Sequence, residues 1–91
     1  MKKRIWKFPL KMEAYYQTIE MPTGARIVYV GINPADEGRR GAIWAEVETD
    51  LPTEKRYFFI LGTGQPAPEG TTYIGTYEQA PFIWHIYEGK N

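Results

Sequence analysis

The run Arg56-Tyr57-Phe58-Phe59-Ile60-Leu61 is apolar at every position after its first. Successive side chains of a strand point to opposite faces, so this run has nothing polar for solvent on either side and is predicted to be a central strand. Residues 4–10, 26–33, 42–49 and 82–88 show aromatic and β-branched residues at the same period of two, each bounded by Gly, Pro, Asp or Asn. In 26–33, Val28, Val30 and Ile32 share one face and Ile27, Tyr29 and Gly31 the other, which predicts a second central strand. In 42–49, Ile43, Ala45 and Val47 oppose Trp44, Glu46 and Glu48, so one face is in the core and one in solvent. Val28, Val30, Ile43, Phe59 and Leu61 are the expected core.

The connections fit the same picture. Ile5-Trp6-Lys7-Phe8-Pro9-Leu10 is placed at an edge, because Pro9 has no N–H for a ladder. Met12, Tyr15, Tyr16 and Ile19 fall at helical spacing, but the segment 11–16 is too short and uncapped for a helix and is read as an irregular crossover. Residues 17–21 lead into Pro22-Thr23-Gly24-Ala25, a tight turn that predicts a hairpin with 26–33. The loops 33–41 and 62–71 carry glycine, proline and charge. Residues 72–77 and 82–88 close the sheet. The expected fold is all-β: residues 1–91 as one small antiparallel β-sandwich or flattened barrel of about six or seven strands.

Composition narrows the function. Lysine plus arginine and aspartate plus glutamate both total 11, and net charge +0 removes the positive field that general nucleic-acid binding needs. A near-neutral surface also gives little protection against association, and 15% aromatic content exceeds what a small core needs, so a homo-oligomer is expected. The chain has no Cys and no Ser, which removes disulfides and the usual acyl-transfer nucleophiles. With no secretory apolar region after Met1-Lys2-Lys3-Arg4 and no run of 18 apolar residues, the expectation is a cytoplasmic protein without a membrane partner.

Ile5-Trp6-Lys7-Phe8, Gln17-Thr18-Ile19-Glu20-Met21-Pro22 with Gly24-Ala25, Ile43-Trp44-Ala45, Gly62-Thr63-Gly64, Tyr73-Ile74-Gly75-Thr76 and His85-Ile86-Tyr87-Glu88, in this order, resemble a family of small, functionally uncharacterised proteins from tailed bacteriophages and prophages. The resemblance spans nearly the whole chain. It departs at the insertion-like loop 33–41 and at Gln65, where relatives place His after Gly-Thr-Gly. It implies a small accessory protein acting in the host cytoplasm, of a kind that inhibits or sequesters host factors.

Among candidate sites, Gly62-Thr63-Gly64-Gln65 offers backbone N–H groups and a hydroxyl in a turn, the chemistry that cradles an anion, although a bare strand-exit turn has the same sequence. Arg39 and Arg40 on a loop suit bidentate phosphate contact, or only solvate that loop. Trp44, with Glu46 and Glu48 on its face, offers a stacking surface for a base. Trp6 and Trp84 read as core or subunit interface. His85 is the only histidine, flanked on its face by Ile83 and Tyr87, and reads as structural; no metal, cofactor or catalytic set is expected. Two functions remain. One is a non-enzymatic binder that sequesters a nucleotide-like ligand, such as a host immune signal, at Arg39, Arg40, Trp44, Gly62, Thr63, Gly64 and Gln65. The other is a protein-interaction module that inhibits a host protein or adds a strand at the edge 4–10. A concave pocket supports the first; a flat aromatic patch supports the second.

Overall fold

Seven strands form, and their pairing follows the apolar alternation. They are β1 (Lys3–Pro9), β2 (Tyr16–Pro22), β3 (Arg26–Ile32), β4 (Gly41–Glu48), β5 (Thr53–Gly62), β6 (Thr72–Gln79) and β7 (Phe82–Gly89). The computed structural model describes residues 2–11 and 15–90, so the crossover expected at 11–16 falls, for residues 12–14, outside the described residues. An antiparallel three-stranded sheet, β1-β4-β3, packs on an antiparallel four-stranded sheet, β2-β5-β7-β6. The molecule is thus a sandwich, not a barrel. One apolar cluster fills it, including Met21, Ile43, Val47, Phe58 and Ile86, each essentially without solvent exposure.

Three local features depart from the simple alternation. A β-bulge between Ile27 and Tyr29 inserts Val28 into β3, so Ile27 and Val30 pack on the core while Val28 is exposed. In β5, Phe58 and Ile60 point inward and Phe59 outward, one residue out of the expected facing. Both faces are apolar, so alternation alone does not say which is inside. The third departure is the turn at residues 22–25. Ala25 N donates to Pro22 O at 3.1 Å and Gly24 takes φ 77, as a tight turn requires. Yet β2 pairs with β5 and β3 with β4, so the turn is a corner between sheets and not a hairpin.

That corner is anchored from the other sheet. Arg56 donates Nε and Nη2 to the Glu88 carboxylate at 2.6 and 2.9 Å and Nη1 to Ala25 O at 2.6 Å. The Glu88 hydrogen bonds, partly opposed by burial, push the Arg56 pKa up. β3, expected to be central, is instead an edge, lying against β6 of the facing sheet. A Cβ on Gly75 would fall 2.9 Å from the Val30 side chain, so glycine in β6 is what permits this approach.

Candidate functional site

β5 and β6 are neighbours in sequence but not in the sheet, because β7 lies between them. Their connection leaves β5 at Gly62, opposite Trp84, and rejoins the sheet at Thr72, opposite Glu88, near the other end of β7. It crosses the outer face of the four-stranded sheet. This is why Leu61, paired with His85 on that outer face, is only 2% exposed: it shares a hollow with Ala67 of the loop. Leu61 is therefore buried as expected, but under a loop and not in the core between the sheets.

The hollow beneath the loop holds about 200 Å³ and is lined by Gly62, Thr63, Gly64, Gln65, His85 and Tyr87, among others. Two of its lining residues, Thr63 and His85, begin a chain of hydrogen bonds that leads away from it: Thr63 Oγ1 to His85 Nε2 at 2.9 Å, His85 Nδ1 to Thr76 Oγ1 at 3.2 Å, and Thr76 Oγ1 to Tyr73 Oη at 2.6 Å. The turn itself is not an open anion cradle. Gly62 N donates to Gln65 Oε1 at 2.6 Å and Gln65 N to Gly62 O at 3.1 Å, which consumes two of its N–H groups.

The other predicted residues lie elsewhere. Arg40 is held by Asp36, with Nη2 at 3.1 Å from Oδ1 and the Arg40 amide donating to Oδ2 at 2.9 Å; that amide and the guanidinium hold the Asp36 carboxyl below its usual pKa. Arg39 takes φ 58 in the same loop. Arg40 lines a separate hollow of about 410 Å³ with Leu10, Lys11 and Asn33, which shares no residue with the Gly62–Gln65 one. Trp44 is on the outer face of the three-stranded sheet, opposite Lys7 and Tyr29, its ring 5.3 Å from that of Tyr29. It therefore faces away from the Gly62–Gln65 hollow, which lies on the other sheet. Trp84 is half-buried, donating Nε1 to Gln79 Oε1 at 3.0 Å.

What the register does assemble is aromatic. Tyr16 stands opposite Phe59, and Phe59 opposite Tyr87, so their side chains share the outer face of the four-stranded sheet. Ring centroids lie 4.8 Å apart for Tyr16–Phe59, 6.1 Å for Tyr16–Tyr57 and 5.8 Å for Tyr15–Phe59. Across the loop, Tyr73 and Tyr87 meet at 5.6 Å. Tyr15 and Tyr16 remain 50% and 46% exposed although each packs on a neighbouring ring. Neither they nor Tyr57 and Phe59 stood out as a site in the sequence. Residues 15–16 and 57–59 are distant in the chain, and only the β2–β5 register joins them.

Fold and surface define an antiparallel β-sandwich that presents an aromatic sheet face. The family model described as "Domain of unknown function (DUF7352)" matches residues 1–91, and the chain belongs to that family. No curated protein and no solved structure matches it.

Proposed function

We propose that this protein is a non-enzymatic interaction module that assembles with a second copy of itself through the Tyr15, Tyr16, Tyr57 and Phe59 patch. The observation that carries this reading is the pair of half-exposed tyrosines whose rings each pack on Phe59, since preordered aromatic side chains bury large area at low entropic cost. The rim supports self-pairing. Glu20 and Lys55 stand opposite one another on the same face, so the patch has no net charge to repel its own copy. Nucleotide sequestration has less support. Arg40 and the Gly62–Gln65 turn line separate hollows, of about 410 and 200 Å³, Trp44 lines neither, and the smaller one is below the roughly 300 to 1,000 Å³ of typical small-molecule sites.

Sedimentation equilibrium tests the proposal. The parent chain is expected to dimerise at micromolar concentration, and Tyr16→Arg to weaken the dimer about 30-fold or more, as a central interface residue does. A parent that sediments as a single chain, or a variant that associates equally well, refutes it.

A further inference from the structure

The zero net charge conceals a strong polarity. Five of the eleven cationic residues and none of the eleven acidic ones fall in residues 1–11. Three of the five, Lys3, Arg4 and Lys7, are on β1. β1 is the outermost strand of β1-β4-β3, so among the described residues its second row of backbone N–H and C=O groups pairs with no strand. An edge of this kind is a template for an added strand.

The side chains specify which strand. Trp6 stands opposite Ala45, a core residue, and so points to the inner face of its sheet; it is nevertheless 40% exposed. The facing sheet packs on β3 and β4, through β6 and β2, and the edge strand β1 leaves this inward indole partly uncovered. On the outer face, β1 presents Lys3, Ile5 and Lys7. Lys7 donates to Asn33 Oδ1 at 2.9 Å, which leaves two ammonium protons for another acceptor. A second copy of β1 is disfavoured. Paired antiparallel about Ile5, it sets Lys3 opposite Lys7 at both ends, the arrangement by which edge lysines oppose self-pairing.

We propose that the β1 edge accepts an extended acidic segment of another protein as a fourth strand of this sheet. In the segment, Asp or Glu alternates with apolar residues. The acidic row lies beside Lys3 and Lys7, and the apolar row covers Trp6. This site is independent of the tyrosine patch and lies on the other sheet.

The probe is a short blocked peptide of alternating Glu and Val, titrated into the isotope-labelled full chain and followed by amide and indole resonances. Shifts are expected to centre on residues 3–9 and the Trp6 indole. Affinity is expected to fall about tenfold or more as salt rises from about 0.05 to 0.5 M. The double variant Lys3→Glu, Lys7→Glu is expected to bind the Glu-Val peptide about tenfold more weakly and to gain affinity for a Lys-Val peptide. A peptide N-methylated on alternate amides, lacking the donors that face β1, is expected not to bind. Equal binding of the N-methylated peptide, tighter binding of a single-stranded oligonucleotide, or an absence of shifts on β1 at millimolar peptide would each overturn the proposal.

Discussion

Phe58→Ala is expected to bring the protein to the margin of unfolding at room temperature. Phe58 has no solvent exposure and sits on β5, the strand that joins β2 to β7. Truncating a buried phenylalanine costs about 3 to 5 kcal/mol, transfer and cavity terms together. Small domains hold about 5 to 15 kcal/mol in all, and one of 91 residues belongs at the lower end. The neighbouring Phe59→Ala removes an outward ring and is expected to cost less, because that ring is only partly buried. Urea unfolding of the two variants checks the facing of β5. A Phe58→Ala protein no less stable than Phe59→Ala contradicts it.

Tyr77→Phe is expected to act in the opposite direction. Tyr77 is buried, its ring against Gly41, and its hydroxyl completes no hydrogen bond. A buried polar group without a partner costs about 1 to 3 kcal/mol, so deleting the oxygen and keeping the ring should stabilise by that order. The effect grows with pH. Burial pushes the phenol up to about 12, against a slight lowering from the Gly41 amide, whereas an unfolded tyrosine ionises near 10. Below pH 10 neither state is ionised and this phenol adds no pH dependence. Between about 10 and 12 the unfolded chain loses its proton and the folded chain keeps it, so stability falls by up to about 3 kcal/mol. Phenylalanine has no proton to lose, so the variant's advantage should widen across that interval. Denaturation curves at pH 8 and pH 11 measure it. A constant difference means that the hydroxyl is solvated in the folded state.

These two residues also mark how far the sequence could be read. Tyr57 to Leu61 announced a central strand, and β5 is one, because a run apolar on both faces has no other stable place. The same two-sidedness hid which of Phe58 and Phe59 is inside. That depends on what covers each face, and Tyr16 and Tyr87 reach Phe59 only through pairings set by distant strands. Val28 was misplaced because one bulged residue reverses facing without a distinctive sequence. The Pro22-Thr23-Gly24 turn was correctly legible as a turn, but its local chemistry is the same in a hairpin and in a corner. The distinction comes from Arg56, which ties Ala25 to Glu88 across the sandwich. The candidate site was least legible of all, because glycine and arginine motifs signal anions individually, while a tyrosine patch exists only once two strands are in register.

The central proposal is that two copies meet on the tyrosine patch. The most direct measurement is an isotope-filtered NOE experiment on a mixture of labelled and unlabelled chains at dimer-forming concentration. Intermolecular contacts are expected among the rings of Tyr15, Tyr16, Tyr57 and Phe59, with Glu20 and Lys55 at their border. Intermolecular contacts confined to the Trp44 face of the three-stranded sheet, or none at all, would contradict it.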